Sequence, residues 1–187
     1  MDNERERIIN SLVGRILKKS PSEIIASDVE LQKRIIEDSL KLIGHPDLLI
    51  ITVDCSKCNS FRDTFNHISI CTHNALLEEK RYMDSDEFDV MEFEYNDFSD
   101  AEDDDIFHQD FNHYLSTISK ELGIKIVLVL FGFASAAWGE KDFEKIRNYT
   151  KNFVFVLSSS VSIKTLEENA KHAQFYSTND FKTFNLT

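Results

Sequence analysis

Ser22-Glu-Ile-Ile-Ala26, then Ser27-Asp-Val-Glu-Leu-Gln-Lys33-Arg34, then the run from Ile35 to Ile43, is the stretch on which the fold turns. Its first part has the apolar character of a short buried strand. Its last part carries apolar residues at helical spacing. The octet between them can be laid on the phosphate-binding motif G-x-x-x-x-G-K-[ST]. Only the lysine, Lys33, is kept. Ser27 and Gln32 stand at the two glycine positions, and Arg34 stands where a hydroxyl would hold magnesium. The glycines of such a loop let backbone N–H groups come close to phosphates. A chain without them is expected to keep the architecture of a nucleotide-binding domain and to have lost the turnover.

Reading outward from this stretch, Leu48 to Val53, Lys125 to Leu130 and Phe153 to Leu157 are almost uniformly apolar. Such runs suit strands covered on both faces. Helical spacing marks Glu4 to Leu17, Phe61 to about Lys80, Ile106 to Leu122, Asp142 to Thr150 and Val161 to Ala170. Ala173 to Tyr176 reads as a last short strand. Strands alternating with helices predict a three-layer α/β sandwich. Its five-stranded, mostly parallel sheet would carry helices on both faces, and residues 1–187 would form one domain. Ligands in such sheets gather at the carboxyl ends of the strands. Here those ends are Ser27, Asp54-Cys55, Phe131-Gly132 and Ser158-Ser159-Ser160.

The net charge of −12 is unevenly spread. Asp84 to Asp110 holds thirteen acids and neither Lys nor Arg, so the rest of the chain carries +1. An acidic insertion at about 82–106 on a near-neutral core follows. Phe88, Met91, Phe93, Tyr95 and Phe98 are interleaved with those acids. The segment is read as a solvated loop, with docking to a basic partner as its functional alternative. No basic stripe is present, so DNA is expected to be met only indirectly. The charged start Met1-Asp-Asn-Glu-Arg-Glu-Arg7 is followed by no signal-like apolar region. The apolar run Ile126 to Ala137 is too short for a bilayer. An intracellular chain with no membrane partner is expected, with its three cysteines reduced.

Cys55-x-x-Cys58 and Cys71-x-His73 offer zinc-ligand chemistry. A helix starting at Ser60 would, however, carry Cys71 about 16 Å along its axis at 1.5 Å per residue. No zinc site is expected. No Ser-His-Asp or Cys-His pattern emerges. The third strand ends in Phe131-Gly132 where a phosphate-hydrolysing domain needs acids for magnesium and water. The serines at 158–160 stand where a polar sensor or the next helix cap belongs.

Taken together, these segments resemble the AAA+ initiator ATPases, and within them the fifth-subunit branch of the eukaryotic origin recognition complex. The resemblance rests on Arg5 to Gly14 with Pro21 to Ile25, on Ile50 to Cys58, on Phe107 to Leu130 and on Phe153 to Ser158. It covers about Glu4 to Tyr176, a RecA-like core. It implies a degenerate P-loop domain with no catalytic residue, a pseudo-ATPase, in which Lys33 is the single candidate for nucleotide contact. No cofactor is implied beyond ATP held without turnover. The implied partners are other AAA+ initiator subunits or another protein, and the implied location is nuclear, or cytoplasmic outside the initiator reading. Val127 to Trp138 and Ser158 to Leu166 are also similar to STAND-type signalling ATPases, which implies a signalling scaffold instead. An acidic inhibitor acting through Asp84–Asp110 is the third class.

Overall fold

The computed structural model describes residues 2–44, 47–78, 113, 116–117, 119–120, 122–133, 153–169 and 180–186. The elements in chain order are α1 (Asp2–Leu17), β1 (Ser22–Ile25), α2 (Val29–Lys41), β2 (Leu48–Asp54), a 3-10 turn (Cys55–Lys57), α3 (Phe61–Glu78), β3 (Lys125–Phe131), β4 (Phe153–Ser159), α4 (Ile163–Asn169) and β5 (Lys182–Asn185). The sheet runs in the order β2-β3-β4-β1-β5, and every described pairing is parallel. The three-layer α/β sandwich is the one expected, with a sheet that is wholly rather than mostly parallel among the described strands.

β3 and β4 are buried along almost their whole length because both faces are covered. On one face Val127, Val129, Phe131, Val154, Val156 and Ile24 pack against Leu12 and Ile16 of α1 and Ile35 and Ile36 of α2. The alternate residues Ile126, Leu128, Leu130, Phe155 and Leu157 are buried on the other face. There α3, which places Phe65 and Ile68 inside, packs on β2. Side chains alternate across a strand, so each apolar run feeds two layers.

Turn chemistry fixes the entry to β1. Lys19 takes a φ of 58°. Its N–H donates to the Ile16 carbonyl at 2.8 Å, and the Ser20 N–H donates to the Arg15 carbonyl at 3.0 Å. This is the paired bond pattern that closes a helix on a left-handed residue. Arg15 then ties both ends of the sequence together. Its guanidinium donates to the Pro21 carbonyl at 2.7 Å and meets the Asp180 carboxylate at 3.1 Å.

Two boundaries differ from the sequence reading. α2 starts at Val29, six residues before the helical run expected from Ile35, because Asp28 caps it. The Asp28 carboxylate accepts from the Glu30 and Leu31 N–H groups at 2.9 and 3.2 Å. The last strand is Lys182–Asn185, and it pairs with β1. The expected strand Ala173–Tyr176 and the expected helix Asp142–Thr150 lie outside the described residues. So do the acidic insertion and most of the helix expected from Ile106 to Leu122.

Candidate functional site

The carboxyl ends of β1 and β4 lie side by side, with the first turns of α2 above them. Only Ala26, Ser27 and Asp28 connect β1 to α2. The octet laid on the phosphate motif is therefore mostly helix: Val29 to Arg34 are its first six residues.

Gln32 is the centre of this arrangement. It is 1 % exposed and points into the junction. Its Nε2 donates to the Ala26 carbonyl at 2.6 Å and to the Ser159 carbonyl at 3.1 Å. Its Oε1 accepts from the Ser158 hydroxyl. A side chain thus occupies the position where a glycine would leave room for phosphate. It also satisfies the carbonyl that ends each strand, which a buried junction requires. The Ala26 N–H donates to the Ser159 carbonyl at 3.2 Å and completes the join.

The positive end of α2 is occupied as well. Helix N-termini attract anions through unpaired N–H groups and the macrodipole. Here the Asp28 carboxylate takes two of those groups, and Glu30 adds a second negative charge in the first turn. Lys33 lies one turn further along. Its ammonium is 3.7 Å from Glu30 and its side chain is 39 % exposed. Replacing Lys33 by Ala is expected to change unfolding free energy by less than about 0.5 kcal/mol, as for other exposed pairs. Urea titration of the variant checks this.

The neighbouring strand ends follow the same pattern of internal satisfaction. Asp54 lies beside Phe131 in the β2–β3 register. Its carboxylate accepts from the Ser56 hydroxyl at 2.6 Å and the Ser56 N–H at 3.1 Å. The Ser56 hydroxyl is the main reason that the Asp54 carboxyl is held below its ordinary value. Phe131, at the acid position, is 7 % exposed and part of the apolar cluster under α2. Ser159 Oγ accepts from the Val161 N–H at 3.2 Å, and Ser162 Oγ from the Lys164 N–H at 3.2 Å. Ser158 serves Gln32, and Ser162 serves the start of α4.

Among the described residues no group of three or more His, Cys, Asp or Glu is placed to hold a metal. Cys55 and Cys58 are buried and Cys71 is half-buried; all three are free thiols. Burial pushes each thiol above its ordinary value. The thiolate is the reactive form, so native-state alkylation at pH 8 should modify Cys71 first and Cys55 last. Mass mapping of the labelled chain against time reads that order.

Sequence reasoning missed Glu23 altogether. It sits on the opposite face of β1 and is 1 % exposed. Its carboxylate accepts from the Ile163 N–H, from Ser162 Oγ at 3.3 Å and from Thr183 Oγ1 at 3.0 Å. Burial raises its carboxyl above the ordinary value, and the Ile163 N–H, Thr183 and Ser162 offset part of that. The signal was there: an acid inside a buried apolar strand needs partners.

No protein-family model and no curated protein sequence matches the chain. Solved structures do. The chain is similar to a chain in the structure of Drosophila ORC bound to GC-rich DNA and Cdc6, with a TM-score of 0.62 and 9 % identity. Drosophila ORC with poly(dA/dT) DNA and Cdc6 gives 0.62, and with AT-rich DNA and Cdc6 gives 0.63, both again at 9 % identity. The match covers 98 % of this chain and 28 to 29 % of the ORC chains, so it spans under a third of their length. The likeness shows the fold alone: an all-parallel α/β domain like a part of these ORC chains. Among the described residues no helix is long and apolar enough to cross a membrane.

Proposed function

We propose that this chain is a non-catalytic AAA+-like subunit that acts by protein–protein contact in an origin-recognition-type assembly. Its partners are then other initiator subunits, it meets DNA only through them, and it resides in the nucleus. The observation that carries the reading is Gln32, which fills the glycine position and bonds to Ala26, Ser158 and Ser159. An ATP phosphate could enter only by displacing that side chain and the Asp28 cap, and it would meet Glu30 on arrival. Both replacements favour the closed junction over a nucleotide. The fold likeness to ORC chains supports the choice of assembly.

Two measurements test the two halves separately. Titration with a fluorescent ATP analogue, with and without magnesium, should show no saturable binding up to about 1 mM, the weak limit of useful affinity. Magnesium-dependent turnover that disappears in Lys33→Ala would sink the non-catalytic half. Affinity purification of the tagged chain from its native cell, followed by mass spectrometry, should recover other AAA+ initiator subunits. Recovery of a signalling assembly, a single basic enzyme or nothing would leave the fold without this role.

A further inference from the structure

α1 and β5 form the walls of a single cleft of about 400 Å³. That volume lies within the range of ligand sites. β5 ends the described sheet beside β1. Phe184 belongs to the cluster that holds Leu12 and Ile16 of α1, so Lys182, two positions earlier, is on the α1 side too. Thr183 is on the other side, where its hydroxyl donates to Glu23. Arg7, Ile8 and Ser11 of α1 face Lys182, Phe184 and Asn185 of β5 across the cleft.

The ammonium of Lys182 is held in place there. It donates to Ser11 Oγ at 3.1 Å and lies 5.1 Å from the centre of the Phe184 ring. An ammonium has three N–H groups, and Ser11 takes one of them. Among the described residues Lys182 meets no carboxylate. A lysine on an end strand deters stray strand pairing. That role needs no fixed position, whereas this ammonium is anchored to a helix serine. Arg7 meets Glu4 at 4.0 Å, and both side chains are largely exposed. Two cations thus stand against one acid in the cleft, on a chain whose net charge is −12. Beside them Ile8 and Phe184 supply apolar surface.

The arrangement asks for one anionic group with an apolar group about 5 Å from it. Within an extended chain, side chains on the same side are two positions and about 6.6 Å apart. A C-terminal residue carries its carboxylate and its side chain on one carbon. We propose that this cleft binds the C-terminus of a partner protein that ends in a large apolar residue. The carboxylate is held by Lys182 and Arg7, with Asn185 as a further donor, and the apolar side chain rests on Ile8 and Phe184. The inference stands apart from the initiator reading, because no residue at the carboxyl ends of the strands takes part.

Titration of the ¹⁵N-labelled full chain with the N-acetylated peptide Gly-Ser-Gly-Ser-Gly-Leu, bearing a free carboxylate, tests it. The amide signals of Arg7, Ile8, Ser11 and Lys182 to Asn185 should shift together, with half-saturation at or below about 1 mM. The same peptide as its C-terminal amide should bind at least about tenfold more weakly, because the charge-assisted bonds are lost. Lys182→Gln should weaken the free-acid peptide by a similar factor and leave signals outside the cleft unmoved, while Lys182→Arg should keep most of the affinity. Replacing the terminal leucine by glycine should cost at least about fivefold. No shift of the cleft signals at several times that concentration would overturn the proposal. Equal binding of acid and amide, or a Lys182→Gln variant that binds like the parent, would overturn it as well. Free leucine binding more tightly than the peptide would assign the cleft to an amino acid, with Glu4 taking its ammonium, and would overturn the docking of a chain end.

Discussion

Gln32→Ala is expected to cost about 2–4 kcal/mol of unfolding free energy, combining a cavity with the loss of buried hydrogen bonds. For a chain of this size that lowers the melting temperature by roughly 5–15 °C. The substitution strands the Ser158 hydroxyl and the Ala26 carbonyl at a buried junction and leaves the Ser159 carbonyl with the Ala26 N–H alone. Gln32→Met separates the two contributions, since it nearly keeps the volume and removes the bonds. A cycle with Ser158→Ala should give a coupling of about 1 kcal/mol between Gln32 and Ser158. Urea unfolding of the four proteins reads both values. A Gln32→Ala variant as stable as the parent would mean that Gln32 does not hold the junction, and would remove the main support for a closed nucleotide site.

Glu23→Ala should be at least as damaging, at about 3 kcal/mol or more, because it uncaps α4 and removes a buried carboxylate that accepts from Ile163, Ser162 and Thr183. Glu23→Gln has a different signature, in pH. The folded-state value of Glu23 is raised by burial. A raised value means the folded state holds the proton more tightly than the unfolded chain does. The stability Glu23 contributes is thus full below about pH 4, its unfolded range, and is lost as pH rises through the folded value. Glutamine does not titrate. The stability of Glu23→Gln relative to the parent should therefore increase on going from about pH 4 toward neutrality and then level off. Denaturant midpoints across that range give the difference directly. A flat difference would mean that Glu23 has the same proton affinity folded and unfolded.

What the sequence revealed follows from burial. β3 and β4 were legible because runs such as Ile-Val-Leu-Val-Leu leave no polar face, and only a doubly covered strand tolerates that. β2 was legible from the same kind of run, although it ends the described sheet and leaves Thr52 exposed. β5 was not legible. It is a short strand at the sheet edge with Phe184 as its main core residue, and Lys182, Thr183 and Asn185 give it no apolar run. The octet was misdivided because it was read against a loop template. Asp28 followed by Glu30 is itself a helix-start signal, and local capping chemistry prevailed over the motif. The lost glycine at position 32 was visible in the sequence. What replaced it was not, because two of the three partners of Gln32, Ser158 and Ser159, lie 126 and 127 residues away. Glu23 was hidden for the same reason: its partners come from α4 and β5.

The sheet order has a consequence for synthesis on the ribosome. β1 is made early, yet its neighbours are β4 and β5, the last two strands described. Ser22 waits for Val156 on one side and Lys182 on the other. At about 5–20 residues per second, the 126 residues from Gln32 to Ser158 take roughly 6–25 s to appear. During that interval Ile24 has no strand beside it and Glu23 has no donors. The nascent chain can pair β2 with β3 well before it can seat its own first strand. A holding factor, or a translation pause after β4, would act on the segment Ser22–Ile25 during this window.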